Sequence, residues 1–263
     1  MKGARTRRAS AILVVALVLL QGCATMSRDP STSHHMNAAH DPLQPLNRTM
    51  FTFNMDFYQH VLEPVAKGYK EVTPHFVRAG VSHFFANAAY PYTLLNDFLQ
   101  GRLRQGFSDL GRFIVNTTLG IAGLFDPASH MGLAPHKNSF GVTLGVWGVP
   151  QGAYLVLPFF GPSSVRNLSE IPLEIITSPF YYVTNSAAQW SIAAVGGVNT
   201  GYVNSDAVKT VKESASPYYF ARNAWEQHER YLIHGGNVSH NQLLNGLGPV
   251  LKSPVSPPLK DRR

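Results

Sequence analysis

Apolar and polar positions along the chain predict a mainly helical body between two polar ends. Pro45-Leu46-Asn47-Arg48 opens a segment to about Tyr69, with rings at Phe51, Phe53, Phe57 and Tyr58. Thr73-Pro74 has the form of an N-cap followed by proline at the first helical position, predicting a helix to about Ala88. Pro91 predicts a short helix, and residues 102–118 a longer one. In that one Phe107, Leu110, Ile114 and Thr118 share a face. Asp206 to Lys212 reads as a short helix. Ser216-Pro217 starts another, with Tyr218, Ala221, Trp225, His228 and Leu232 on one stripe, and Gly235-Gly236 ends it.

Residues 139–162 break this pattern. Gly141, Gly145, Gly148, Gly152 and Gly161 alternate with Pro150, Pro158 and Pro162, among the rings Trp147, Tyr154, Phe159 and Phe160. Glycine at this density predicts a hairpin or irregular loop instead of a helix. Irregular apolar backbone is tolerated at membrane depth only when buried in protein or lining a cavity. The stretch is therefore a candidate wall or gate of a passage, with a loop plugging an ordinary core as the alternative.

The ends read differently. Lys2 to Arg8 precede an apolar run, Ala11–Leu20. Ten helical residues make about 15 Å, half of a ~30 Å hydrocarbon core, which fits a secretory signal over residues 1–22 and not a resident span. Leu20-Gln21-Gly22-Cys23 resembles the lipobox of bacterial lipoproteins, in which the cysteine is acylated and becomes the first residue. Cys23 is the only cysteine, so no internal disulfide can form. Two or more acyl chains anchor a protein stably where one does not. Ala24, in place of Asp, resembles the sorting pattern that sends such lipoproteins to the outer membrane. Residues 23–40 are polar, small and aperiodic, a flexible tether. His34, His35 and His40 lack a second cluster at ligand spacing, so neither a metal nor any other cofactor is expected. Residues 41–247 form the domain, and the proline-rich basic tail, 248–263, reads as disordered.

Charge refines this picture. The formal net charge of +7 suggests an anionic polymer as partner, but four cations precede Cys23 and four lie in the last 13 residues. Residues 23–250 hold equal numbers of cations and acids, so no nucleic-acid footprint remains. Only 14% of residues are charged, against roughly 25% in a typical soluble domain. Aromatics reach 11%, and this ring-rich, charge-poor body suits contact with lipid. Arg112 and Arg166 are candidates for a lipid phosphate through paired N–H donors, with structural ion pairs as the alternative.

No enzymatic motif is evident. Gly161-Pro162-Ser163-Ser164 lacks the GxSxG elbow spacing, His228-Glu229 lacks a second histidine, and GxxxxGK[ST] is absent. No catalytic residue is assigned.

Several segments occur together in order. They are Asp41-Pro42-Leu43, Asn47-Arg48 and Met50-Phe51-x-Phe53-Asn54, then Asn96-x-x-Leu99-Gln100-Gly101. Arg112-Phe113-x-x-Asn116-Thr117-x-x-Gly120-x-x-Gly123-x-x-Asp126 comes next. Phe140-Gly141-x-Thr143-Leu144-Gly145-x-x-Gly148-Val149 and Leu157-Pro158-Phe159-x-Gly161 follow, then Ser205-Asp206, Ser216-Pro217, Tyr218-Tyr219 and Arg222. As an ordered set covering about residues 41–236 behind a lipobox, they resemble the MlaA/VacJ family of outer-membrane lipoproteins of phospholipid transport. Asn167 departs from the pattern, which has an acid after the arginine.

The resemblance implies a ring-like bundle of amphipathic helices in the periplasmic leaflet of the outer membrane. The glycine-rich segment would line a central channel, with Phe53, Asn54, Gly141, Gly145, Trp147, Gly148, Gly152 and Tyr154 as channel or gate candidates. It further implies docking on a trimeric outer-membrane porin. Mislocalised phospholipids would leave the outer leaflet and pass to a soluble periplasmic phospholipid-binding carrier, keeping the membrane asymmetric. A scaffold lipoprotein that braces porins and transports nothing is the alternative. Exposing two acyl chains to water costs about 0.8 kcal/mol per CH₂, ~20 kcal/mol or more per lipid, so a transporter without a nucleotide must supply a continuous amphipathic path.

Overall fold

The computed structural model describes residues 41–235. The expectations for the signal, Cys23, the tether with its histidines and residues 236–263 lie outside the described residues.

The described chain is mainly helical. Helix α1 (Gln44–Phe57) continues through a π-helical turn, Tyr58–Leu62, into α2 (Glu63–Val72). Pro64 explains the wide turn. It has no N–H for an i→i−4 bond, and the Glu63 N–H reaches back five residues to Tyr58 O. After Pro74, α3 (His75–Leu99) runs unbroken for 25 residues. The predicted stop at Ala88 and restart at Pro91 are not observed, because Pro91 is held inside this helix by the buried side chains on either side of it. Thr73 is not its N-cap either; the helix begins at His75 without a side-chain cap. Helix α4 (Leu103–Thr118) packs along α3, and α5 (Pro127–His130) returns onto α4.

The glycine-rich stretch divides into two parts. Phe140–Val146 forms α6, contrary to the loop expected there. Ser139 caps it, its hydroxyl accepting the Val142 N–H at 3.3 Å. Two of its glycines permit close packing and do not break the helix. A Cβ on Gly141 would sit 2.5 Å from the Asn167 amide, and one on Gly145 2.6 Å from Ile233. The expected hairpin follows as β1 (Tyr154–Leu157) and β2 (Gly161–Ser164). They are antiparallel, with Tyr154 opposite Ser164 and Leu157 opposite Gly161. Beyond it come a 3₁₀ turn at Asn167–Ser169, α7 (Glu170–Thr177), a second such turn at Pro179–Tyr182, α8 (Ser186–Val203), α9 (Ser205–Glu213) and α10 (Pro217–Ile233). Asn185 caps α8 by accepting the Ala188 N–H at 3.0 Å.

The distribution of polarity is inverted. Among buried positions polar and charged residues outnumber apolar ones by about two to one, while many large apolar side chains are exposed, including Phe76, Phe107, Ile114, Phe160 and Trp190. Helix α4 shows how. Phe107, Ile114 and Thr118 do share a face, but it points outward, while Asp109, Arg112 and Asn116 point inward. Helix α10 likewise buries Tyr218, Arg222 and Glu229. Among the described residues no helix is long and apolar enough to cross a membrane.

These inward polar groups bond one another. Thr143 donates to Asn96 at 2.7 Å, Gln100 donates to Asn138 and to Thr143 at 2.8 Å, and Asn138 donates to Asp97 at 2.8 Å, joining α3 to α6. Asp97 and Asp109 are both fully buried, each with one unbonded oxygen among the described residues. His136, at the surface end, contacts Asp109 at 3.0 Å. Burial, with the Asp109 carboxyl adding to it, pushes the Asp97 carboxyl up to about 6, against the pull of Asn138 and Arg102. A carboxyl raised on folding binds its proton more tightly in the native state. It therefore stabilises below the unfolded value of about 4, and that contribution is lost as pH rises through 6. Asp97→Asn reproduces the protonated form, with an N–H₂ facing Asp109. Thermal denaturation in detergent should show the wild type losing melting temperature between about pH 4 and pH 6, and this variant losing less.

Candidate functional site

The site is built around the hairpin, and α1 fixes the hairpin. Asn47, buried on α1, donates from Nδ2 to Tyr154 O at 2.9 Å and accepts the Val156 N–H at 2.9 Å. Two turns further, Asn54 donates to Leu157 O at 2.8 Å and accepts the Phe159 N–H at 2.7 Å. Each amide thus serves one carbonyl and one N–H two residues on, as a neighbouring strand would. Asn47 also donates to Asp41 at 2.8 Å, and Asp41 accepts the Tyr218 hydroxyl beside Arg222.

Rings complete the grip. At the hairpin tip Phe159 adopts φ +66°, and its ring meets Phe53 at 5.2 Å and Phe57 at 5.0 Å, edge to face. A left-handed phenylalanine is uncommon. Here the Asn54 hydrogen bond and the two rings hold it. At the base Tyr154 is buried among Tyr218, Trp225 and the Arg222 guanidinium.

The hairpin so placed forms one wall of a cavity of about 590 Å³. Leu157, Phe160 and Ser163 contribute from the hairpin, and Phe85 from α3. Ile171 and Ile175 come from α7, and Ile192 and Ala193 from α8. The polar groups in this largely apolar lining include Asn167, Glu170 and Glu174. Burial pushes both glutamates up, though Glu170 is drawn back by Ser139 and by the Gly141 N–H, which it accepts at 3.2 Å.

Of the sequence-selected gate residues, the structure brings Phe53 and Asn54 onto the hairpin tip. The others set its frame and do not line the cavity. Gly141 and Gly145 lie in α6; Trp147, exposed, donates to Leu99 O at 3.1 Å; Gly148 and Gly152 adopt positive φ; Tyr154 is core. Arg112 and Arg166 are buried in ion pairs, the alternative left open by the sequence. Arg112 pairs with Asp126 and also donates to Ser129 at 2.9 Å. Burial alone would raise the Asp126 carboxyl, but hydrogen bonds from Ser129, Asn116 and Arg112 outweigh it and hold it near 2. Arg166 pairs with Glu229 at 3.0 Å. Ser164 is fully buried and donates to Asn167 at 2.7 Å.

The cavity residues Phe85, Glu170, Ile171, Glu174, Phe180 and Ile192 were not anticipated. The available signal was Glu170 and Glu174 at helical i, i+4 spacing in the otherwise apolar run 170–176.

The chain belongs to the MlaA lipoprotein family, whose family model matches residues 39–232. An uncharacterized protein of Rickettsia conorii is 37% identical over 189 residues, which is 70% of this chain and 74% of that protein. The intermembrane phospholipid transport system lipoprotein MlaA of Escherichia coli K12 is 32% identical over 241 residues, covering 86% of this chain and 89% of that one. A solved structure described as "Structural basis for maintenance of bacterial outer membrane lipid asymmetry" matches with a TM-score of 0.64 at 33% identity, over 73% of this chain and 98% of that one.

The amide grip predicts graded losses. Asn47→Ala leaves a buried N–H, a carbonyl and Asp41 short of a partner, and should cost about 2–4 kcal/mol in denaturant unfolding. Asn54→Ala should cost less and act locally. Hydrogen exchange should show faster exchange of the Phe159 amide, with α3 and α4 unchanged.

Proposed function

We propose that this protein is the outer-membrane lipoprotein component of an intermembrane phospholipid transport system. It takes mislocalised phospholipids from the outer leaflet and passes them to a soluble periplasmic carrier, maintaining lipid asymmetry. The observation that carries this reading is the inverted polarity around an apolar cavity. Exposed rings and aliphatic side chains are suited to acyl chains, while Arg112 and Arg166 are buried against Asp126 and Glu229. A cavity of about 590 Å³ with apolar walls gives part of a phospholipid a place out of water. The E. coli relative's description as a phospholipid transport lipoprotein supports the reading.

In this proposal Cys23 is acylated and tethers the body to the periplasmic leaflet. The helices lie in the membrane plane, the exposed apolar faces meet lipid and a trimeric porin, and the cavity belongs to the lipid path. The hairpin, hinged where Gly148 and Gly152 adopt positive φ, is its adjustable wall, with Phe53 and Asn54 holding the tip.

Two variants test this. Ala193→Trp adds a large ring to the cavity from α8. In a reconstituted assay it should strongly reduce phospholipid transfer from vesicles to a purified carrier while the protein remains membrane-bound; undiminished transfer would remove the cavity from the path. Gly148→Val meets no neighbour within 4 Å but strains a φ of +87°. It should raise surface-exposed phospholipid in cells without lowering the amount of protein, and normal asymmetry would remove the hairpin from the mechanism.

A further inference from the structure

The cavity is lopsided in charge. Its lining holds two carboxylates, Glu170 and Glu174, and no lysine, arginine or histidine. The arginine nearest in sequence, Arg166, is buried against Glu229 and takes no part in the lining. Glu170 has partners in Gly141 and Ser139. The Glu174 carboxylate has no hydrogen bond or ion pair among the described residues; although the residue is exposed, partial loss of surrounding water pushes its carboxyl up. A carboxylate in that position gains from any cation that enters.

A second group faces the same space. Asn167 is only 3% exposed, yet it lines the cavity. Its Oδ1 accepts from Ser164 at 2.7 Å, while its Nδ2 makes no hydrogen bond among the described residues. That N–H₂ is not among the fully buried unpaired atoms, so it keeps access to solvent and is free to donate to a ligand acceptor. Besides Ser163, Ser178, Tyr181 and Gln189, the polar part of the lining offers at Asn167 a neutral donor one helical turn before two acceptors of negative charge. A phosphodiester oxygen satisfies the first, and an ammonium group satisfies the second. A lipid headgroup that carries both, with no net charge, fits the arrangement. An anionic headgroup brings its charge towards two carboxylates with no cation to offset them.

We infer that Asn167, Glu170 and Glu174 form a headgroup subsite for zwitterionic, ammonium-bearing phospholipids, with Glu174 as the specificity-determining residue against anionic lipids. The inference rests on the transport reading for its ligand class, but it concerns binding and is tested by binding. The full acylated protein in detergent is incubated with equal amounts of dioleoyl phosphatidylethanolamine and dioleoyl phosphatidylglycerol, and bound lipid is counted by native mass spectrometry. One charge-assisted contact predicts a preference of about tenfold for the ethanolamine lipid. Glu174→Gln, which keeps the shape and removes the charge, should bring that ratio close to one, mainly by admitting more phosphatidylglycerol. Asn167→Leu should weaken binding of both lipids.

Equal binding by the wild type, or an unchanged ratio in Glu174→Gln, overturns the subsite while leaving transport intact. No binding of either lipid overturns both. Selective binding in a protein that fails the transfer assay upholds the subsite and removes the transport reading alone.

Discussion

Two asparagine amides on one helix hold the free edge of a strand, and the position of the cavity wall depends on them. A two-stranded ribbon alone is marginal in water, and its outer edge presents unpaired N–H and carbonyl groups. Asn47 bonds that edge at Tyr154 and Val156 as a neighbouring strand would, and Asn54, seven residues on along α1, bonds the tip at Leu157 and Phe159. Their spacing is two helical turns, which puts both amides on one face. The ribbon's orientation is thereby transferred from α1 to Leu157, Phe160 and Ser163, which reach the cavity.

The same logic extends through the interior. In an ordinary soluble domain, apolar side chains are buried and drive collapse. Here Arg112, Asp126 and Asn116 bind the segment after α4 to its own helix, and Arg166 with Glu229 joins the hairpin's far end to α10. Bonds of this kind hold an interior together when the exterior solvent is itself apolar and burial of rings gains little. The exposed faces of α4 and α8 then carry apolar side chains, while Arg112, Arg166, Arg222, Asp41 and Glu229 serve as internal partners.

Much of the fold was legible in the sequence, and the failures share a cause. Ser216-Pro217 and Gly235 bounded α10 as local rules require, and the hairpin was foreseen from glycine and proline density. Gly141 and Gly145 were misread because glycine serves close approach as well as turning. Only the positions of Asn167 and Ile233 reveal which applies. Pro91 read as a helix start, yet it is internal and absorbed by tertiary packing. The outward stripe of α4 was found by its period, but a period gives a face and not its direction. The direction came from Asp109, Arg112 and Asn116, whose partners lie far along the chain. Residues 165–203, with weak periodicity, held the unanticipated wall of the cavity.

The charge count that first pointed to an anionic polymer ends by describing the cavity. Residues 23–250 carry as many cations as acids, but the pairing inside the fold is selective. Arg112 takes Asp126, Arg166 takes Glu229 from α10, and Arg222 lies beside Asp41. Arg166 finds its acid, Glu229, on another helix, so the position after it needs no acid of its own. Asn167 stands at that position, nearly fully buried and close to Glu170 and Glu174. A third carboxylate there would repel the other two and would remove the amide donor beside them. With asparagine the space keeps both a donor and an acceptor. The partner taken by Arg166 and the neutral residue after it are thus two parts of one arrangement.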